Sequence, residues 1–188
     1  LLATTKKFGF PVKHTEKGLV IVTVKGKDDE HQRMVTAHVD TLGAMVRAVK
    51  PSGRLKLAQI GGYPWNMIEG ENCLVHTADG KKIGGTILIH QTSCHVYKDA
   101  GTAERNQDNM EVRLDEKVTN EAETRALGIE VGDFVSFDPR TLITEKGFVK
   151  SRFLDDKASA AILLDILDRI HSEKLALPYT THFAFSVY

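Results

Sequence analysis

At 188 residues, with 25 basic side chains balancing 25 acidic ones and 41% hydrophobic residues, the chain has an ordinary globular composition. It is long enough for one core, or for one domain with a second inserted into it. The balanced charge gives no global pull toward nucleic acid or an anionic membrane, and no apolar run reaches the ~20 residues of a bilayer-spanning helix.

In chain order, "LLATTKKFGFPV" reads as the last turns of a helix entering a strand, and "GLVIVTVKG" and "QRMVTAHVDT" as two β-branched, apolar strands. The second strand delivers His38 and Asp40 at its end. From Gly43 the texture changes to short strands separated by turn signals, the pattern of a small β-barrel or sandwich. The polar stretch "KDAGTAERNQDN" predicts a mobile loop. A short helix, "NEAETRALG", follows, with Asn120 as N-cap and Gly128 placed to end it. "GDFVSFDP" and "GFVKSRFL" return to strand. After Asp156, Ala160, Ile162, Leu163, Ile166, Leu167 and Ile170 recur with helical spacing, and "YTTHFAFSVY" predicts a buried strand. The order is that of an α/β domain carrying an insertion: residues 1–42 and 149–188 form the outer domain, and 43–148 a β-rich insert. The chain opens on Leu1 without Met and stops in strand-like residues at Tyr188, so a longer protein is expected.

Two stretches carry candidate chemistry. In "SRFLDDKASAAILL", Asp155 and Asp156 place two like charges where a helix begins. One reading makes Asp155 the N-cap and Asp156 a first-turn acid, both favoured by exposed amides and the helix dipole. The other balances the charge with a divalent cation, because adjacent carboxylates repel and resist desolvation. In "AHVDTLG", His38 and Asp40 lie two residues apart and share a face if extended. Imidazole suits zinc or cobalt, and a nearby carboxylate fixes the ring's tautomer; a structural hydrogen-bonded pair reads equally well. Two such sites at strand ends strengthen each other.

"TAHVDTLGAMV", "PSGRLKLAQIGGYPWNMIEGENCLVHTADGKKIGGTIL", "ALGIEVGDFVSFDPR" and "SRFLDDKASAAILL" together resemble the di-metal family of glutamyl aminopeptidases and tetrahedral (TET) aminopeptidases, some members of which carry an endoglucanase label. The resemblance covers nearly the whole chain. It implies a zinc-peptidase-like (phosphorylase/hydrolase-like) mixed-sheet α/β domain with an inserted PDZ-like or barrel dimerisation domain. It implies two divalent metal ions, zinc or cobalt with manganese also admitted. His38 would be a terminal ligand of one metal and Asp155 the bridge between both. Asp40 would orient His38, and Asp156 would follow the bridge through a cis peptide. The implied activity is release of N-terminal residues from short peptides through a metal-bridged water, in dimers that build a dodecamer. A Glu-Glu pair, an Asp and a His, supplying the general base and further ligands, would lie beyond Tyr188. These 188 residues alone are therefore expected to be inactive.

The competing reading is a non-catalytic peptide-binding or scaffold module, its β insert adding a partner's strand and its metal site vestigial. A glycosidase fits less well, because its two carboxylates must flank a sugar and these are sequence neighbours. His90, Cys94 and His95, read as alternating along a strand, do not converge on a metal. Two cysteines, Cys73 and Cys94, without C-x-x-C spacing suggest a reducing compartment and a cytoplasmic location. No nucleic-acid or membrane partner is expected.

Overall fold

The computed structural model describes residues 1–188, which divide into two compact units. The first comprises Leu1–Thr41 and Phe153–Tyr188; the second, Leu42–Arg152, is inserted between its halves. Residues 149–152, expected with the outer domain, belong to the second unit. Val149 pairs there with Ile143, and Arg152 bonds to Glu71 and to the Met67 carbonyl.

In the first unit, α1 (Leu2–Lys6) leads into β1 (Val12–His14), β2 (Val20–Val24) and β3 (Gly26–His38). After the insert come α3 (Leu154–Ser172) and β12 (Leu177–Ser186). The sheet order is β1-β2-β12-β3, with β12 antiparallel to β2 and parallel to β3. Val20, Val22 and Val24 alternate inward with Phe183 and Phe185, against Ala160, Leu163, Leu167 and Ile170 of α3 and Phe8. These helix positions recur every three or four residues, which puts them on one stripe.

β3 begins six residues earlier than the sequence suggested. "GKDDEHQ" is polar because it is exposed, and it is held in strand conformation by backbone pairing with β12. Gly26 is required there: a Cβ would stand 2.1 Å from the Tyr179 carbonyl carbon.

The second unit is a closed barrel in the order β4-β5-β8-β7-β6-β9. Its strands are β4 (Gly43–Val49), β5 (Leu55–Ile60), β6 (Asn72–His76), β7 (Lys82–Ile89), β8 (Met110–Leu114) and β9 (Phe134–Phe137). Inward positions alternate along β6 and β7, and Val46, Leu55, Leu57, Val75, Ile87 and Val112 are wholly buried. Of the two architectures predicted for this region, the barrel is the one formed.

Helix α2 (Glu121–Ala126) is capped as its sequence indicates. The Asn120 side chain accepts from Glu123 N at 2.9 Å, the Glu123 carboxylate accepts from Thr119 N, and Gly128 takes φ +97° just beyond the helix. "GFVKSRFL" contributes only β11 (Val149–Lys150), paired with β10 (Leu142–Ile143) as a two-stranded hairpin. Residues 98–109 form no helix or strand, yet they are fastened to the barrel. Arg105 pairs with Glu69, and Arg47 with Asp108.

Candidate metal centre

β3 and α3 bring the two candidate stretches together within the first unit. Ala37 faces the core and is 4% exposed, so its strand neighbour His38 turns away, at the strand's end. Across from it, Phe153 has φ +63° and Asp155 and Asp156 depart from helical dihedrals, so regular helix starts at Lys157. The Asp155–Asp156 peptide is cis.

Asp156, rather than Asp155, therefore holds the N-cap position. Its Oδ2 accepts from His38 N at 3.2 Å, tying the helix start to the strand end. The Ser159 hydroxyl beside it, with the His38 amide, keeps its carboxyl below the ordinary range against the opposing effect of partial desolvation. Ser159 was not singled out from the sequence. The Asp-x-x-Ser spacing, that of an N-cap and its third helical residue, is the signal that would have found it.

The His38 ring is held from both sides. Nδ1 lies 3.1 Å from Asp40 Oδ1 and Nε2 lies 3.2 Å from Asp155 Oδ1. Desolvation favours the neutral ring, but the Asp155 and Asp40 carboxylates outweigh it and raise the His38 pKa. Asp155 is almost free, with 96% of its side chain exposed, against 40% for His38 and 43% for Asp40.

This donor set fits part of a divalent-metal site. An imidazole nitrogen and a carboxylate oxygen face the same point, and the second imidazole nitrogen is occupied by an orienting carboxylate. No group of three or more His, Cys, Asp or Glu side chains converges on such a point anywhere in the chain. The chain thus brings together two candidate donors, His38 and Asp155, and one orienting carboxylate, Asp40.

His90 and His95 follow the end of β7 at Ile89 instead of alternating along a strand. His90 Nδ1 lies 3.6 Å from Glu111, Cys73 is buried and Cys94 is exposed; both cysteines are free. No helix is long and apolar enough to cross a membrane.

Comparison with known proteins places these features in a family. A Bacillus subtilis protein, YhfE, which bears an aminopeptidase name, is 62% identical over 170 residues, covering 90% of this chain and 49% of that protein. Among solved structures, a TET aminopeptidase from the marine sediment archaeon Thaumarchaeota archaeon SCGC AB-539-E09 superposes with a TM-score of 0.86 at 21% identity, covering 98% of this chain and 51% of that one. The Pyrococcus horikoshii TET1 peptidase, described as assembling into a tetrahedron or a large octahedral shell, gives 0.79 at 21% identity over 99% and 53%. These two likenesses show a shared mixed α/β fold. The chain spans about half the length of the relatives it matches. The family model for M42 glutamyl aminopeptidases matches residues 18–188, and the chain belongs to that family.

Proposed function

We propose that the protein is a metal-dependent aminopeptidase that removes N-terminal residues from short peptides. The observation that carries this reading is the convergence of His38 Nε2 and Asp155 Oδ1, 3.2 Å apart, with Asp40 on the opposite imidazole nitrogen. On this reading the site takes two divalent ions, zinc or cobalt, with manganese also compatible with the donors. His38 and Asp155 would be among the residues that hold them. When bound, such ions acidify water and polarise a peptide carbonyl.

The chain's own residues prepare the site. Asp40 holds the proton of the neutral ring on Nδ1, which leaves the Nε2 lone pair on the side of Asp155, where a cation would accept it. Asp156 accepts the His38 amide and fixes strand end against helix start, so that His38 and Asp155 keep their separation. With two donors and no converging third, residues 1–188 alone are inactive; the general base and remaining ligands come from elsewhere in the complete protein. The zinc-peptidase-like character of the sheet unit and the PDZ-like kinship of the barrel belong to this reading. So do a cytoplasmic location, consistent with two free cysteines, and homo-oligomers up to a dodecamer.

The scaffold alternative relied on strand addition to the β insert. The barrel ring is closed, so within the insert that mode would have to use the separate β10–β11 sheet.

The test is hydrolysis of N-terminal residues from short peptides by the complete protein, with and without a chelator, and in Asp155→Asn. Loss of activity in both cases is expected. Turnover that survives chelation or the substitution would overturn the proposal.

A further inference from the structure

The chain passes from the first unit into the second between Thr41 and Leu42 and returns between Arg152 and Phe153. Both passages run through the candidate metal centre: His38 and Asp40 come just before the first, and Asp155 and Asp156 just after the second. An insert can be attached at any exposed loop. This one is attached at both halves of the site.

The outbound passage has little free length. Val39 N donates to Ser186 O at 2.9 Å, which ties the strand end to β12, and Gly43 is already the first residue of β4, paired with Ile60. Only Asp40, Thr41 and Leu42 lie between. The far end is fixed by a side chain of the barrel unit, because the Tyr63 hydroxyl donates to Gly43 O at 2.9 Å. Tyr63 is itself buried: its ring lies edge-on to Phe137 with centroids 5.5 Å apart, and its carbonyl accepts from Gln59 Nε2 at 2.7 Å. Gly61 completes the hold. At φ +79° it leaves room for Leu42, whose Cδ2 would stand 2.6 Å from a Cβ there.

The return passage is anchored in the same way. Arg152 N donates to Pro139 O at 2.9 Å, and the Arg152 guanidinium donates to Met67 O at 2.9 Å and pairs with Glu71 at 2.8 Å. Phe153, the next residue, is held at φ +63°, a backbone state that a bulky side chain keeps only where its neighbours impose it. Asp155 follows two residues later.

A segment fastened at both ends has few conformations and presents its side chains already oriented; releasing one end lengthens the free segment and spreads them. We infer that Tyr63 and Arg152 are positioning residues for the metal centre, holding the two passages short from the barrel side, Tyr63 acting through Asp40 and Arg152 through Asp155. The inference rests on the metal site proposed above and gives the insert a part in it.

The experiment is calorimetric zinc titration of the complete protein. Wild type is compared with Tyr63→Phe, which removes one hydroxyl and keeps the ring, and with Arg152→Met, which leaves Glu71 its pair with Arg140. Each variant should weaken zinc binding about fivefold, the worth of one hydrogen bond. Two controls separate positioning from loss of stability. In an Asp40→Asn background Tyr63→Phe should have no further effect on affinity, because its route to the metal is gone. Leu57→Ala, which loosens the ring where β5 pairs with Val46 and not at either passage, should bind zinc as wild type does. Wild-type affinity in either positioning variant, an equal loss in the Asp40→Asn background, or an equal loss in Leu57→Ala would overturn the inference while leaving the metal site standing. A wild-type protein that takes up no zinc would overturn the metal site and the inference with it.

Discussion

Every strand of the barrel has two neighbours, whereas the sheet of the first unit ends on β3, whose outer edge has no partner strand along its 13 residues. Each barrel strand buries large side chains on its inward face, while Leu74 of β6 and Phe134 of β9 stay 40% and 61% exposed. In the first unit Met34 of β3 and Ile162 of α3 stay 57% and 58% exposed. Closure gives each strand of the ring a neighbour on both sides, whereas an open edge leaves a row of backbone groups without one. The candidate chemistry sits on the open unit, at the end of its edge strand.

The sharpest way to break this comparison is to remove a side chain from the closed ring. Leu57→Ala should cost the barrel about 3 kcal/mol, because a fully buried leucine leaves a cavity that a closed ring collapses around poorly. Urea unfolding followed by Trp65 fluorescence reads it; a loss below about 1 kcal/mol would mean the ring is more yielding than its burial indicates.

Next in size is Glu111, 3% exposed on β8 and paired with Lys50 and Arg54. Glu111→Gln should cost about 2 kcal/mol, less than for a wholly buried pair because the two cations keep 25% and 33% exposure. Burial pushes this carboxyl up, but the bonds from Lys50 and Arg54 outweigh it and hold it below the ordinary range. A group lowered on folding contributes its full stability above its unfolded value, near pH 4.3, and loses it as pH falls through the folded value. The gap between wild type and Glu111→Gln should therefore be widest near neutrality and narrow below about pH 4. A gap that widens on acidification would contradict the pairing.

A smaller effect sharpens the other side of the comparison. Asp40→Asn should weaken metal binding by about tenfold, read by calorimetric zinc titration of the complete protein, with the melting temperature little changed. Unchanged affinity would remove Asp40 from its orienting role. Smallest of all, Ile162→Gln should change stability by less than about 0.5 kcal/mol in residues 1–188, since the side chain is already exposed.

The same helix shows what the sequence could and could not reveal. Helical spacing identified Ala160, Leu163, Leu167 and Ile170, which are buried, but it equally marked Ile162 and Ile166, which are 58% and 39% exposed. Periodicity reports which residues are apolar and in what rhythm; it does not report which face has a neighbour. The insert between two halves of one unit was legible because texture changes at Gly43, from long apolar runs to short strands and turns. The early half of β3 was not, because its polar residues answer to solvent and its strand conformation comes from pairing with distant β12.

His38, Asp40 and Asp155 were marked as candidates by motif and spacing, and the fold brings these three side chains within hydrogen-bond distance. The N-cap placement of Asp156 was not legible. Two adjacent aspartates present the same local signal, and only the dihedrals at the helix start distinguish them. The hairpin was likewise not legible as such: the pattern picked out only its second strand, within "GFVKSRFL", and not the polar turn Glu145-Lys146-Gly147 that precedes it.

The central claim is that His38 and Asp155 hold metal, and anomalous diffraction at the zinc edge from crystals of the complete protein tests it most directly. The account predicts a zinc peak about 2.0–2.2 Å from both His38 Nε2 and an Asp155 carboxylate oxygen. Zinc bound elsewhere, with neither residue in its coordination shell, would contradict it.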